Sequence, residues 1–278
     1  MNTCLVPADQ YTVEQLANIY NQTRVDYMIP MPMNSDRLAD YIHDFDIDRH
    51  HSVVAIIDGQ VSGLGMLGLR NNHSWVTRLG VLPNNRRVGI GDTIMKKMLN
   101  ASQSIGLKSV ILEVIKGNER AWSLFKKHGF EESGEYLVLR RAPGLGRTDA
   151  SLIEKMTWLD KDRALQCLRS APRQTWINDF SSMANADDVQ GLSLNLDDGS
   201  CGWLVFRKKI PTLTHIVLHT ERGNPEIVGG CLLRQLHFLH PRFDTYAENI
   251  HCSDPHLPVY LSMGYFEAFR RTEMIREL

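Results

Sequence analysis

One stretch of the chain, residues 75–130, constrains the possible folds more than any other. It contains an apolar run at 75–82, a glycine-containing segment at 86–92 that opens a helical pattern, a second apolar run at 110–115, and a short helix ending at Gly129. The order is therefore strand, glycine-rich turn, helix, strand, helix. Backbone N–H groups can converge at such a turn, and the N-terminus of a helix carries partial positive charge. The sequence thus predicts a turn that holds phosphate.

Two short motifs in this stretch carry a family resemblance. The first is Arg86-x-x-Gly89-x-Gly91, placed after an apolar strand and opening a helix. The second runs from the strand at 112–114 into the following helix: Leu112-Glu113-Val114, Asn118-x-x-Ala121-x-x-Leu124-Phe125 and Gly129-Phe130. The first motif resembles the acyl-CoA pyrophosphate loop of the GNAT superfamily of N-acyltransferases, and the second agrees with it in order and placement. The resemblance extends over residues 1–141.

The chemistry of the loop supports the resemblance independently. Residues 87–92 can offer a row of backbone amides to the pyrophosphate of CoA, and Gly89 and Gly91 allow close approach without a Cβ clash. Arg86 and Arg87 add charge and fork-like donors. The resemblance implies acetyl-CoA as co-substrate, with its pantetheine arm between splayed strands at 75–82 and 109–116. The residues expected to contact it are Leu79, Gly80, Val81, Arg86, Arg87, Val88, Gly89, Ile90, Gly91, Asp92 and Asn118.

The resemblance also implies direct attack of an amine on the thioester in a ternary complex. An N–H near Val81 would stabilise the developing oxyanion. A base must take a proton from the amine, and Glu113 is the candidate catalytic base; a strand glutamate facing solvent or a salt-bridge partner is the competing interpretation. Asn118 is equally well explained as a helix N-cap.

Position 125 departs from the family pattern. The family places a tyrosine there to protonate the leaving thiolate, whereas Phe125 has no proton to give. Tyr136, His128 or solvent could serve instead, or the first domain could only bind CoA. A break in the helical pattern at 27–33, rich in Met and Tyr, is consistent with either a binding cleft or a packed loop.

The whole chain is predicted to be an α/β protein with a mixed α+β sheet, built as two tandem GNAT-like domains at 1–143 and 149–278. A turn-rich linker is predicted at 142–147, followed by a helix at 150–158. The two halves share an order of elements, which indicates a divergent internal duplication.

The second half keeps the pattern but loses the loop. Glu226-x-x-Gly229-Gly230-Cys231 aligns with the first motif, and a glutamate is repulsive where phosphate should bind. Pro225 also removes an amide. Tyr260 occupies the position of the family tyrosine, but without phosphate contacts the second domain is expected to be degenerate.

Three other motifs fail. Asp44-x-Asp46-x-Asp48 starts like a calcium loop but lacks the glycine and glutamate that such a loop requires. The Gly-x-Gly-x-x-Gly pattern at 63–68 matches a dinucleotide fingerprint by letter, but it lies in a predicted hairpin strand, where it indicates a bulge or a close ligand approach. Five scattered side chains with metal-binding chemistry do not form a zinc pattern, so no metal is expected: His237, His240, His251, Cys252 and His256.

Composition narrows the class of partner. The net charge of −1, from 31 basic and 32 acidic residues, predicts no binding to nucleic acid or to an anionic membrane. Five scattered cysteines and the lack of a signal sequence suggest a cytoplasmic protein. The predicted function is transfer of an acetyl group to a primary amine of a small molecule or peptide. The alternative is a CoA-binding sensor or scaffold without transfer activity.

Overall fold

The computed structural model describes residues 3–145 and 154–278, and the chain divides into two compact units. The first unit comprises Met1–Ser133 together with Thr272–Leu278, and the second comprises Gly134–Arg271. The domains predicted at 1–143 and 149–278 follow chain order. The units differ from them in two segments: residues 134–143 belong to the second unit, and residues 272–278 belong to the first. Part of the predicted linker at 142–147 lies outside the described residues.

The first unit alternates short helices with the strands of a mixed sheet. Its elements are β1 (Thr3–Pro7), a 3-10 turn (Ala8–Gln10), α1 (Val13–Thr23), α2 (Ser35–Asp44), β2 (Ile47–Ile57), β3 (Gln60–Arg70), β4 (His73–Val81), a 3-10 turn (Pro83–Asn85), α3 (Ile90–Ile105), β5 (Ser109–Ile115), α4 (Glu119–Lys127), the start of β6 (Glu131–Arg141) and the later part of β12 (Phe266–Glu277).

The sheet of this unit has the order β1-β2-β3-β4-β5-β12. The predicted hairpin between β2 and β3 is confirmed: it turns at Asp58 and Gly59, which both have positive φ, at 47° and 81°. β4 and β5 run parallel, as a strand–helix–strand crossover requires. On one face α3 packs Ile94, Met95 and Met98, all fully buried, against alternate residues of β2. α1 and α2 contact β3 and β2, so the sheet is covered by helices.

Gly63 and Gly65 of the 63–68 pattern allow α3 to pack closely on β3. A Cβ at Gly65 would lie 2.5 Å from Ile94 Cγ2, and one at Gly63 would lie 3.1 Å from Ile94 Cδ1 and 2.9 Å from the Gly80 carbonyl oxygen. The close neighbours of these two glycines are therefore α3 and, for Gly63, the backbone of β4. The register of β2 and β3 also shifts in this region, beside Gly63.

The second unit repeats the plan with its own core. Its elements are the rest of β6, β7 (Met156–Leu159), α5 (Lys161–Ser170), α6 (Phe180–Asn185), β8 (Val189–Asn195), β9 (Cys201–Lys209), β10 (Thr212–Arg222), α7 (Pro225–Leu239), β11 (Asp244–His251), α8 (Leu257–Ser262) and the start of β12. The strand order is β7-β8-β9-β10-β11-β6-β12.

The helix predicted at 150–158 is wrong over 156–158, and its residues 150–153 lie outside the described part of the chain. Met156–Leu159 instead form β7, an edge strand that pairs antiparallel with β8. The segment is too short for its pattern to distinguish strand from helix, so pairing with a neighbour decides.

A shared irregularity supports the internal duplication. β4 carries one extra residue relative to β3 between Thr77 and Gly80, and β10 carries one extra residue relative to β9 between Thr214 and Val217. In each bulge a non-glycine residue has positive φ, Arg78 at 52° and His215 at 51°. A long apolar helix of the kind that crosses a membrane does not occur between residues 3 and 145 or between 154 and 278.

Candidate active site

The N-terminus of α3 is open. Its N-cap is Gly89, which has no side chain to cap the first amides. Within the part of the chain that the structure describes, the first amide of this helix with a backbone partner is that of Thr93, which donates to the Gly89 carbonyl oxygen at 3.0 Å. In contrast, α1, α2 and α4 each begin with a side chain that accepts an amide hydrogen bond. The free amides at the start of α3 form a site for an anion.

The loop before α3 has the conformation that such a site needs. Arg87 and Gly89 both adopt the left-handed region, with φ of 66° and 89°, and a Cβ at Gly89 would meet nothing within 4 Å. Alternation between left- and right-handed residues turns successive N–H groups to one side of the loop. Arg87 is exposed and forms no ion pair with any residue that the structure describes. Its guanidinium is therefore available to a phosphate.

Arg86 has a different environment from the one predicted. Its guanidinium forms a two-pronged ion pair with Asp26, at 2.5 Å and 2.7 Å, and also donates to the carbonyl oxygens of Val81 and Thr23. The hydrogen bond from Arg86 lowers the pKa of the Asp26 carboxyl. Arg86 thus ties the loop to the end of β4 and to the segment after α1. Asp26 is a partner that the sequence reasoning missed.

Asp92, in the first turn of α3, is held by cations. Its carboxylate pairs with Lys127 at 2.7 Å, with Lys96 at 2.8 Å, and with His128 Nε2 at 3.0 Å. Hydrogen bonds from Lys127 and Lys96 hold the pKa of Asp92 well below its usual range. The pairs link α3 to the end of α4 and neutralise a carboxylate that would otherwise repel a phosphate nearby.

β4 and β5 separate at the middle of the sheet. They pair from His73↔Ser109 to Val76↔Leu112 and no further, because the bulge at Arg78 turns β4 away. Beyond Val76, β4 still pairs with β3 through Gly80 and Val81, but its other edge no longer pairs with β5. These edges form a V-shaped opening, bounded by residues 77–81 and 113–115, and the expected splay of the two strands is present.

Glu113 is the first residue of β5 beyond the last pair with β4, so it lies at the apex of the opening. It is half-buried, and its charge acts on Tyr41 of α2, whose pKa is raised chiefly by burial and further by Glu113. The Tyr41 hydroxyl hydrogen-bonds Thr77 Oγ1 at 2.6 Å, on the opposite side of the apex. The Arg78 guanidinium lies 4.3 Å from the centre of the Tyr41 ring.

Side chains from the segment after α1 span the opening. Arg24 donates to the Leu79 carbonyl oxygen on β4 at 3.2 Å, and its guanidinium lies 3.9 Å from the centre of the Tyr27 ring. The Tyr27 hydroxyl accepts a hydrogen bond from Asn118 Nδ2, at 3.3 Å, just beyond β5. Asn118 also caps α4 by accepting from the Ala121 amide. Of the two interpretations of the 27–33 break, the structure thus supports a role at the cleft.

The two candidate substitutes for the missing tyrosine at position 125 have other partners in the structure. Phe125 itself is 6% exposed and packs edge-on against Phe130. His128 is buried at the end of α4 on Asp92, and burial lowers its pKa. Tyr136 belongs to the second unit, where its ring contacts His251.

The corresponding positions of the second unit are closed. α7, the counterpart of α3, is capped by the Asn224 side chain and begins with Pro225 and Glu226. β10 and β11 pair only at two positions before they separate, and Asn178 fills the gap: its side chain bonds His215 Nδ1 at 3.1 Å and the Glu248 carbonyl oxygen at 2.7 Å.

Other groups of the second unit are equally enclosed. Tyr260 is 1% exposed, and burial raises its pKa well above the usual range. His237 and His240 are buried, and burial lowers their pKa values to about 3 and about 4. No three His, Cys, Asp or Glu side chains of residues 3–145 and 154–278 come together as a metal site would require.

Comparison with known proteins agrees with this geometry. Residues 14–130 match the model of the Acetyltransferase (GNAT) family, which includes both motifs and the open helix. Solved structures share the fold over both units. A tandem GNAT protein from the clavulanic acid biosynthesis pathway is 14% identical, with 99% of this chain and 98% of that chain covered and a TM-score of 0.68.

Two further structures give the same result. A GCN5-related N-acetyltransferase from Sphaerobacter thermophilus is 14% identical, with coverage of 99% and 95% and a TM-score of 0.72. A putative acetyltransferase from Pyrococcus horikoshii is 11% identical, with coverage of 99% and 89% and a TM-score of 0.64. The tandem α/β fold is thus shown for the whole chain, and residues 14–130 are a domain that matches the Acetyltransferase (GNAT) family.

Proposed function

We propose that the first unit binds acetyl-CoA and transfers its acetyl group to the primary amine of a small molecule or peptide. The observation that carries this proposal is the uncapped N-terminus of α3 next to an opening between β4 and β5. Acetyl-CoA would supply the acetyl group as an activated thioester. The amides of residues 87–92 and the Arg87 guanidinium would hold its pyrophosphate. The edge of β4 at 79–81, which is not paired with β5, would pair with its amide-containing arm, as a sheet edge pairs with an extended peptide.

The chain's own groups then divide the remaining work. The backbone N–H of Val81 would face the thioester oxygen and stabilise the negative charge that develops there. Glu113 would accept the proton that the attacking amine must lose, either directly or through water. Its place at the apex, where both strands diverge, supports this role because amine and thioester must meet there.

The closed positions of the second unit support a single cofactor site. A side-chain cap, Pro225 and Glu226 leave the start of α7 unsuited to a phosphate, and Asn178 occupies the gap between β10 and β11. We propose that the second unit binds no CoA. We also propose that the protein acts without nucleic acid, membrane or metal, in the cytoplasm.

Charge reversal at one exposed arginine tests the site. Arg87→Glu should weaken CoA binding by about tenfold or more, since it places a carboxylate where phosphate is expected (about 1.4 kcal/mol for each factor of ten). Arg222→Glu, an exposed charge reversal just before α7, is the matched control and should leave CoA binding unchanged. Calorimetry with CoA gives both values. Equal affinities for Arg87→Glu and wild type would contradict the site.

Turnover with a panel of amines tests the reaction. Spermidine, glucosamine, kanamycin, lysine and a peptide with a free N-terminus cover the classes of acceptor. Glu113→Gln should lower kcat for any acceptor by about 10²-fold or more and leave the Kd of CoA unchanged. The control is Glu119→Gln, an exposed glutamate in the first turn of α4. Full activity of Glu113→Gln would remove Glu113 as the base.

A CoA-binding sensor is the second candidate, and Phe125 is the observation that favours it. The residue has no proton to donate to a departing thiolate, and it is packed in the core. A wild-type protein that binds CoA but acetylates nothing across the panel would establish the sensor and overturn the transferase.

A further inference from the structure

The transfer reaction leaves one task without a residue. When the amine displaces the thiol, the departing sulfur carries negative charge, and a nearby acid accelerates the step by protonating it. Phe125 cannot do this, and His128 is held by Asp92. We propose that Tyr27, from the segment after α1, is the catalytic acid of the reaction. This inference rests on the proposed function and assigns a residue that the family motifs do not contain.

Tyr27 is fixed across the opening between β4 and β5. On one side Arg24 lies against its ring at 3.9 Å from the centre and is itself bonded to the Leu79 carbonyl oxygen of β4. On the other side Asn118, just beyond β5, donates to its hydroxyl at 3.3 Å. The phenol therefore has a contact towards each of the two strands.

The hydrogen bond from Asn118 also determines what the hydroxyl can do. Because the amide nitrogen of Asn118 is only a donor, the Tyr27 oxygen accepts in this contact and its own hydrogen is directed elsewhere. Tyr27 is only half-buried, and Met28 beside it is 50% exposed. The hydroxyl hydrogen is thus free to reach a group that enters the opening.

The other tyrosines of this region are less suited. Tyr20 is fully buried, and its hydroxyl accepts a hydrogen bond from Arg78 at 3.2 Å. Tyr41 is 8% exposed and its hydroxyl hydrogen-bonds Thr77. Neither hydroxyl can regain a proton from solvent as readily as that of Tyr27, which is partly accessible.

The step balances without a further reactant. The bond between the amine nitrogen and the acetyl carbon forms while the bond from that carbon to sulfur breaks, and the electron pair of that bond goes to sulfur. Sulfur takes the hydroxyl proton of Tyr27, and Glu113 takes the proton that the amine loses. Tyr27 then regains a proton through solvent, and Glu113 releases one to it.

Binding of two CoA forms tests the contact without turnover. Desulfo-CoA lacks the sulfur atom but keeps the rest of the molecule. Wild type should bind CoA more tightly than desulfo-CoA, and Tyr27→Phe should reduce this ratio to about one, because the phenyl ring keeps its packing but cannot bond sulfur. Tyr11→Phe, a half-buried tyrosine outside the opening, is the control and should retain the wild-type ratio.

Turnover on the best amine of the panel provides the second measurement. Tyr27→Phe should lower kcat by about 10²-fold while its Kd for desulfo-CoA stays within about twofold of wild type. Unchanged kcat overturns the inference. Loss of desulfo-CoA affinity in Tyr27→Phe also overturns it, since the hydroxyl would then act in binding. If wild type acetylates no amine, the proposed function fails, and the CoA to desulfo-CoA ratio still decides whether Tyr27 contacts sulfur.

Discussion

The ion pair between Arg86 and Asp26 changes the meaning of the first arginine in the loop motif. From the sequence, Arg86 was expected to donate its fork to pyrophosphate, but in the structure the fork lies on a carboxylate and two carbonyl oxygens. We infer that Arg86 fixes the loop in place and leaves direct phosphate contact to the amides and to Arg87.

The two possible roles of Arg86 predict opposite effects of Asp26→Asn on CoA affinity. Asp26→Asn and Arg86→Gln should each weaken CoA binding by a similar factor of up to about tenfold, since either one releases the loop. Each should change the stability little, because the pair is partly exposed. If Arg86 instead binds phosphate directly, Asp26→Asn would free its guanidinium and strengthen binding. Calorimetry with CoA and thermal unfolding measure both effects.

The sequence predicted some of these side chains and not others, for a physical reason. Gly89 and the amides of α3 follow from local backbone geometry, which a motif encodes directly. Asp26, Arg24 and Tyr27 reach the site through contacts between residues 55 to 91 positions apart. Only the folded sheet brings such residues together, so their spacing leaves no signal beyond the Met- and Tyr-rich break.

Helix α7, the counterpart of α3, lacks the open N-terminal anion site and is buried more completely. Its buried residues extend around most of its circumference and include His237, whereas α3 buries one face. His237 is 2% exposed, and neither ring nitrogen has a hydrogen-bond partner among the residues that the structure describes. A neutral imidazole is tolerated there, but a charged one is not.

This burial predicts a pH dependence of stability. Burial lowers the pKa of His237 to about 3, below its ordinary value, so the unfolded chain gains a proton near pH 6.5 while the folded chain does not. Stability is therefore complete above pH 6.5 and is lost as the pH falls towards the folded pKa, by about 2 kcal/mol at pH 5. Chemical unfolding of wild type and His237→Leu across pH 7.5 to 5 measures it.

The variant should lose less stability than wild type over this range and be at least as stable at pH 7.5, where it removes two unpaired nitrogen atoms. His43→Leu, which replaces an exposed histidine at the end of α2, is the control for the loss of one imidazole. An identical slope in His237→Leu would show that this histidine titrates normally in the folded protein.

Elements with a strong period or an explicit turn were predicted well. The hairpin at Asp58-Gly59, helix α3 and the strand–loop–helix around it all agree with the structure. The segment at 156–159 was predicted wrongly, because pairing with β8, and not its own pattern, makes these four residues a strand.

At the scale of the whole molecule, the two compact units do not follow chain order. Residues 272–278 belong to the first unit, where Met274 is fully buried in the same cluster as α3 and β5, and the Leu278 amide donates to the Lys108 carbonyl oxygen. A linker can be recognised from turn residues, but the exchange of a strand is a matter of tertiary pairing that no local pattern records.

This membership predicts that residues 1–143 will not behave as an independent domain. A fragment of these residues, or the full chain ending at Arg271, should lose CoA binding although every loop residue remains. Burial of Met274 alone accounts for about 2–3 kcal/mol. Met274→Ala in the full chain should lower the Tm without removing CoA binding and serves as the intermediate case. Normal CoA affinity in the chain that ends at Arg271 would contradict the prediction.

Because residues 272–278 belong to the first unit, the two units are completed in a fixed order during synthesis. The ribosome synthesises all of residues 134–271 before it synthesises the strand that completes the first unit. The first unit therefore remains incomplete, with one edge of β5 uncovered and accessible to chaperones and to non-native partners. The second unit can already fold at that stage. Catalytic capacity would then appear only with these seven residues, so a polypeptide interrupted before them would carry the phosphate loop and yet be unable to use it.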